Sequence, residues 1–166
     1  MAASSSGTAT VSLPTDEQIL ITRTFAAPPE LVWKAWTTPD LVKRWWHANR
    51  GEVTLCEIDL RVGGSWRFVT VSPDGFEVAF HGEYREVLPN ERLVATEIYE
   101  GAWQPGEPEQ GTVNTTTFAA ADGGTALTIL VEAPSKQLRD AIIDSGMEDG
   151  LQDALDLLEQ VAVSLR

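Results

Sequence analysis

The sequence predicts an α+β fold in which an antiparallel sheet of about six to seven strands lies against one long C-terminal helix. Residues 147–165 place apolar side chains in one arc and acidic and amide side chains in the opposite arc, at the ~100° per residue of an α-helix. Residues 52–132 instead alternate apolar and polar side chains along short segments separated by turn sequences. A helix with so broad an apolar face needs such a sheet to cover it.

The N-terminal part of the chain divides into a leader and a domain. Residues 1–15 are rich in Ala, Ser, Thr and Gly, and we expect them to form a disordered leader. We expect residues 16–166 to form a single domain that begins with a strand over residues 17–26. No internal repeat or linker divides this domain further.

Two short helices are predicted next. Pro28 and Pro29 suit the first turn of a helix over residues 28–37, where a missing N–H costs nothing. Thr38-Pro39-Asp40 is typical of a second helix start, and this helix is predicted to reach Trp46. Four of the six tryptophans fall in this stretch at helical spacing, which favours core packing over an aromatic ligand box: Trp33, Trp36, Trp45 and Trp46.

The middle of the chain supplies the sheet. Strands are predicted at residues 52–61, 66–71, 76–88, 92–99, 111–119 and 125–132. Gly, Pro, Asn and Asp clusters mark the turns between them. Residues 101–110 form the one long predicted loop, which contains Trp103. Residues 135–144 are predicted to be helical, and Gly146 is predicted to separate this helix from the long C-terminal one.

Composition and charge exclude several classes of partner. The chain carries 12 Lys and Arg against 25 Asp and Glu, a formal net charge of −13. That charge disfavours nucleic acid and anionic membrane surfaces. No apolar run approaches the ~18 residues of a membrane span, and a secretory signal is absent. We therefore expect a cytoplasmic protein, a monomer or homodimer, without nucleic-acid or membrane partners.

Several segments resemble a known superfamily. They are PPELVWKAWTTPDLVKRWW at 28–46, EIDLRVGGSWRF at 57–68, GEYREVLPNERLV at 82–94, DGGT at 122–125, and Gly146-Met147 with Gly150. Together they resemble the START-like (SRPBCC) superfamily, and within it the branch named after activators of the ninety-kilodalton heat-shock chaperone's ATPase. The resemblance implies a helix-grip fold, in which a curved antiparallel sheet grips a long C-terminal helix and two short helices close one end.

The same resemblance implies a cavity for an apolar or amphipathic ligand between helix and sheet. Its candidate lining residues are Phe68, Phe80, Tyr84, Trp103, Leu127, Ile129, Met147, Leu151 and Leu158. Two departures from the branch bear on this cavity. Leu151 stands where relatives often carry Trp, and His47-Ala48-Asn49 stands where they often carry Gly-Pro.

Three hypotheses for the function follow. The leading one is a non-catalytic binding domain that takes a small hydrophobic or amphipathic ligand. A second is a polyketide cyclase-like or hydrolase-like enzyme in the same cavity, which requires at least two polar groups that converge there. A third is a chaperone-associated interaction module, although the separate N-terminal domain of the eukaryotic activators is not expected in this chain.

A few polar residues could carry chemistry. His81 lies mid-strand and, by its period-two neighbours, is expected on the solvent face. Glu57, Asp59 and Arg61 alternate along one strand and could form an acid–base group with Arg67, but a cross-strand charge ladder on the wet face is the preferred interpretation. One Cys and two distant His give no zinc spacing, so no metal, cofactor or catalytic residue is expected. Trp103 could be a lid over the cavity or an exposed contact residue.

Overall fold

A computed structural model describes residues 8–100 and 110–166. Within these residues the chain forms eight strands and four helices. They are β1 (Thr10–Ser12), β2 (Gln18–Phe25), α1 (Pro29–Thr37), α2 (Pro39–Val42), β3 (Glu52–Ile58), β4 (Ser65–Val71), β5 (Glu77–Leu88), β6 (Arg92–Glu100), β7 (Thr112–Ala121), β8 (Gly124–Glu132), α3 (Lys136–Asp144) and α4 (Met147–Ser164).

All strands belong to one antiparallel sheet in the order β1-β2-β8-β7-β6-β5-β4-β3. The sheet curves around α4, so the predicted helix-grip architecture is confirmed. The strand count is eight rather than the predicted six to seven. The curved sheet therefore has a face that carries the core, and we call this the inner face and the opposite one the outer face.

The additional strand is β1, which lies inside the predicted leader. The expectation of disorder over residues 1–15 is therefore wrong for Thr10–Ser12, which pairs with β2. Ala9 is buried, and its backbone N–H donates to Oε1 of Gln152 at 2.9 Å while its carbonyl accepts from Nε2 at 2.8 Å. The small side chains carry no strand signal, but the open edge of β2 and an amide on α4 supply the backbone partners.

The strand predicted over residues 52–61 ends three residues early. β3 stops at Ile58 because the chain turns at once: Arg61 N donates to Asp59 O, and Gly64 N donates to Arg61 O, at 2.9 and 2.8 Å. A Cβ on Gly64 would overlap the Asp59 carbonyl, so only glycine allows this close turn.

The long helix packs as predicted. α4 begins after Gly146, whose φ of 82° is the left-handed conformation that glycine tolerates. Its apolar arc is deeply buried, with Leu155 and Leu158 1% and 0% exposed. It contacts α1 and α3, and its acidic arc reaches Arg23 of β2, 4% exposed on the inner face.

The tryptophans form a continuous chain of rings in the core. Trp33 packs edge-on against Phe118 of β7 at 5.3 Å between ring centroids, and Trp36 lies 5.1 Å from Trp45. α2 ends at Val42 rather than at Trp46, and the following turns carry Trp46 onto the inner face of β4 and β5. The ring spacing therefore reflects core packing.

We predict that Trp45→Ala lowers the free energy of unfolding by about 3–5 kcal/mol, because the ring is 3% exposed and its indole N–H donates to Ala35 O at 2.9 Å. Urea denaturation followed by circular dichroism measures the change. Val163→Ala, at a position 40% exposed, is the control and should change stability by less than ~0.5 kcal/mol. An equal effect of both substitutions would contradict a buried indole at position 45.

Candidate functional site

The inner face of the sheet changes character between its two ends. Near β2 and β8 it is mainly apolar, with Arg23 of β2 paired to Asp156 and Glu159 of α4. On β6 and β7 it carries polar residues in register, because Glu97 pairs with Thr112 and Ala95 with Asn114. Thr112 and Thr116 are 5% and 4% exposed. Polar side chains therefore lie inside the molecule at the middle of the sheet.

Glu97 is the ionisable group of this polar region. It follows Leu93 and Ala95 at period two on β6, so its side chain leaves the strand on the core side. Burial raises the pKa of Glu97 to about 7, and a hydrogen bond with Asn114 opposes this rise. The residue nevertheless keeps part of its surface accessible. The carboxyl therefore lies among protein atoms on the inner face of the sheet.

Asn114 is oriented by its neighbour. Thr112 Oγ1 donates to Asn114 Oδ1 at 2.8 Å. This bond occupies the amide oxygen and leaves the amide N–H groups to donate to Glu97. Glu97 and Asn114 are thus two polar groups that converge on the inner face.

The pairing of β6 with β5 is interrupted next to Glu97, at a place where β5 carries a glycine. Pairing of β5 with β6 breaks after His81↔Ile98 and resumes at Tyr84↔Ala95. In the gap the Thr96 carbonyl accepts from Nε1 of Trp66 at 3.1 Å. A Cβ on Gly82 would overlap that carbonyl oxygen, so an alanine there would force the strands apart.

The start of β7 is equally close to Glu97. A Cβ on Gly111 would lie 2.7 Å from the Glu97 carbonyl oxygen and 2.7 Å from Cγ1 of Ile98. Glycine at this position therefore lets β7 approach β6 at the height of the carboxyl. Both glycines fix the place of Glu97 through its backbone.

Aromatic side chains adjoin this polar region. Trp46 lies 4.9 Å from Phe68 and 6.0 Å from Phe80 between ring centroids, and Phe80 lies 5.3 Å from Tyr99. Tyr99 shares the inner face with Glu97, two residues along β6, and it is 38% exposed. The row of rings therefore runs from the core to the surface beside the carboxyl.

The residues predicted to line a cavity fall into three groups. Phe68, Tyr84, Leu127, Ile129 and Leu158 are buried, whereas Phe80, Met147 and Leu151 are half-buried, and Trp103 lies outside the described residues. The structure therefore brings the apolar candidates to the inner face and to α4, but it packs most of them into the core.

Two surface depressions among the described residues lie away from the space between α4 and the sheet. One, of about 630 Å³, opens on the outer face over Arg67, His81 and Glu100. The other, of about 510 Å³, lies beside α3 at Lys136, Asp140 and Asp144. Neither depression includes the predicted lining residues.

The outer-face depression is built around one carboxylate. Arg67 donates to Glu100 through Nε at 2.8 Å and Nη2 at 2.9 Å, and Nδ1 of His81 lies 2.9 Å from Glu100 Oε2. The Arg67 hydrogen bonds hold the pKa of Glu100 below its ordinary value. A carboxylate held in this way is a weak base, so the cluster is a cross-strand ion network.

The other polar candidates divide between this depression, which Glu57 also lines, and the turn after β3. Glu57 pairs with Arg67 across β3 and β4, but Asp59 and Arg61 pair with each other in the turn after β3. Among residues 8–100 and 110–166, no group of three His, Cys, Asp or Glu side chains could hold a metal ion. Burial raises the pKa of Cys56 to about 11, which makes its thiol a poor nucleophile.

Sequence analysis did not predict Glu97 as a site residue. The signal was available, because an acid occupies an inner-face position of a strand whose other positions on that face, Leu93 and Ala95, are apolar. A charged residue out of phase with the alternation of its strand indicates either a strand end or a functional position.

We predict that Glu97→Gln stabilises the protein at pH 8 but has little effect at pH 4. In the folded chain the carboxyl keeps its proton up to about pH 7, whereas in the unfolded chain it loses it near 4.5. The free energy of unfolding therefore falls as pH rises from 4.5 to 7. The amide cannot ionise, so the variant does not show this fall and should be more stable than the native protein by about 1–3 kcal/mol at pH 8. Thermal denaturation at both pH values measures the difference.

The matched control is Glu100→Gln on the outer face. The pKa of Glu100 is lowered mainly by Arg67, so its charged form stabilises the fold at pH 8 and is lost in acid. This substitution should destabilise at pH 8. A loss of stability at pH 8 in both variants would show that the charged form of Glu97 stabilises the fold, and no change in the Glu97 variant would show a solvated surface acid; either result contradicts burial of the carboxyl.

The chain matches a family model described as activator of Hsp90 ATPase homolog 1-like protein over residues 26–162. No curated protein matches it significantly. None of the helices in the described ranges is long and apolar enough to cross a membrane.

Solved bacterial structures share the whole fold. A Rhodobacter sphaeroides protein is 26% identical with a TM-score of 0.86, and the match covers 96% of this chain and 100% of that one. A Chromobacterium violaceum protein is 29% identical with a TM-score of 0.76, and the match covers 89% of this chain and 98% of that one. A Mycobacterium smegmatis protein is 24% identical with a TM-score of 0.81, and the match covers 93% of this chain and 96% of that one. The match over residues 26–162 and the shared architecture show that the chain belongs to the family of activator of Hsp90 ATPase homolog 1-like proteins.

Proposed function

We propose that this protein is a non-catalytic binding domain that holds a small apolar or amphipathic ligand between α4 and the inner face of the sheet. The observation that carries the proposal is the row of rings from Trp46 through Phe80 to Tyr99, which continues the core to the surface. Covering exposed apolar surface with a ligand stabilises the complex by roughly 2.5 kcal/mol for each 100 Å².

The packing at the start of α4 also supports a ligand. Met147 and Leu151 at the start of α4 are only half-buried, although both contact the core. Between them lies Gly150, and a Cβ built on it would meet no atom within 4 Å. The first turns of α4 are therefore less closely packed than Leu155 and Leu158 further along, which leaves room for a guest or for a larger side chain.

The overall charge of the chain favours a small molecule over a polyanionic partner. The net charge of −13 opposes nucleic acid and anionic membranes. We infer a cytoplasmic protein that works as a monomer or homodimer. Trp103, in the segment that connects β6 to β7, remains a candidate lid or contact residue.

A second candidate function is catalysis at the same place, as in a polyketide cyclase or hydrolase. The observation that favours it is the convergence of Glu97 and Asn114, because a carboxyl with a pKa of about 7 suits a general base near neutral pH. The two functions differ in outcome: a binding domain returns its ligand unchanged, whereas an enzyme releases a product.

A third candidate is a chaperone-associated interaction module, which the description of the family suggests. Native mass spectrometry of the protein purified from its source separates the candidates, since a co-purified small molecule supports the binding domain and a bound chaperone subunit supports the module.

We predict that the neutral fluorescent probe N-phenyl-1-naphthylamine binds the native protein and that Leu151→Trp weakens this binding at least about fivefold without unfolding the protein. The indole would occupy the loosely packed space at the start of α4, where overpacking costs less than the 1–3 kcal/mol typical of a dense core. Fluorescence titration measures affinity, and thermal denaturation measures stability.

Val163→Trp provides the control, because position 163 lies on the same helix and is 40% exposed. It should leave probe affinity unchanged. Equal affinity in the Leu151 variant and the native protein, or a loss of stability above ~3 kcal/mol, would place Leu151 in an ordinary dense core and count against the proposed site.

A further inference from the structure

We propose that the ligand is an amphipathic amine whose ammonium group is bound by Glu97, with its apolar part on the adjoining rings. This inference rests on the binding function proposed above and adds the chemical class of the ligand.

The carboxyl of Glu97 has no cationic partner among the described residues. Burial and the Asn114 hydrogen bond account for the shift of its pKa, and no Lys, Arg or His side chain contributes. The ion pairs found in the described ranges do not involve it. A crowded carboxylate without a counter-ion gains more from a bound cation than a solvated one does, since the local dielectric constant is low.

The other charged group of the inner face cannot compete for this role. Arg23 lies on β2, and its guanidinium lies 2.8 Å from Asp156 and 3.1 Å from Glu159 on α4. Because two carboxylates already face this arginine, it has no charge to offer an anionic ligand. Of the two charged side chains that the described strands place on the inner face, Arg23 and Glu97, the one without an opposite charge beside it is therefore the negative one.

The neighbouring rings favour the same ligand. Tyr99 lies two residues from Glu97 on the same face, and Phe80 lies 5.3 Å from Tyr99 between centroids. The negative faces of aromatic rings attract ammonium groups and also accommodate alkyl chains. Carboxylate, rings and apolar helix face thus match the cationic head and the apolar body of one molecule.

Neutral and anionic ligands of the same size lack part of this match. An alcohol can accept or donate a hydrogen bond at Glu97 but brings no charge, and a fatty acid brings a charge of the wrong sign. The structure therefore predicts an order of affinity of amine, then alcohol, then carboxylate.

The test is displacement of N-phenyl-1-naphthylamine by three chain-matched competitors: decylamine, decanol and decanoate, each below its micelle-forming concentration. At pH 8 decylamine is protonated, and Glu97, with a pKa of about 7, is mostly ionised. We expect decylamine to compete about tenfold better than decanol, the discrimination of one charge-assisted hydrogen bond. Decanoate should be the weakest of the three.

Two variants assign the preference to a residue. Glu97→Gln keeps the shape of the side chain but removes its charge. The affinities of decylamine and decanol should then lie within about twofold of each other, with the affinity for decanol unchanged. Glu100→Gln removes an equal charge from the outer face and should leave the tenfold preference in place.

The outcomes separate the two proposals. Probe binding with no amine preference, or a preference that survives in Glu97→Gln, overturns the amine inference and leaves the binding function standing. Failure of the native protein to bind the probe or any competitor overturns the binding function and this inference with it.

Discussion

The packing of α4 on the inner face of β2 and β8 is the interaction on which the rest of the structure depends. Leu155 and Leu158 are almost completely buried there, and Arg23 joins the sheet to Asp156 and Glu159 of the helix. Removing one partner from such a buried ionic group costs about 3–5 kcal/mol, so the contact fixes the position of the helix as well as stabilising it. α4 is thereby held at the β1–β2 end of the sheet, where Gln152 also bonds the backbone of Ala9.

The position of the helix determines where a ligand could lie. Trp46 and the rings around it cover the inner face of β4 and β5, while α1 packs on β7 and β8, with Trp33 edge-on against Phe118. Glu97 and Asn114 lie on β6 and β7, next to these packed regions. Polar groups would weaken a dense core at this point, but they are the groups that orient a small guest.

Much of the fold could be predicted because it follows from local periodicity. The apolar arc of residues 147–165 required a long helix, and α4 runs over Met147–Ser164. Hairpin turns predicted an antiparallel sheet. β1 could not be predicted, because Thr10–Ser12 is a strand only through the edge of β2, and its neighbour Ala9 is held by Gln152, 143 residues away.

The candidate site was less predictable than the fold for the same reason. The apolar lining residues were predicted from the resemblance to helix-grip proteins together with strand and helix periodicity, and most of them are buried in the core. Glu97 acquires its properties from residues distant in sequence: Asn114 beside the carboxyl, Gly82 at the backbone and Trp66 on the preceding carbonyl. Periodicity places a side chain on a face, but it does not show which face positions remain open.

The central claim is that the inner face, and not the outer-face depression, receives the ligand. Chemical-shift mapping by NMR during titration with decylamine tests it most directly. We predict perturbations at Glu97, Tyr99, Asn114 and Leu151, with no change at His81 and Glu100. Perturbations confined to His81, Glu100 and their outer-face neighbours would contradict the account.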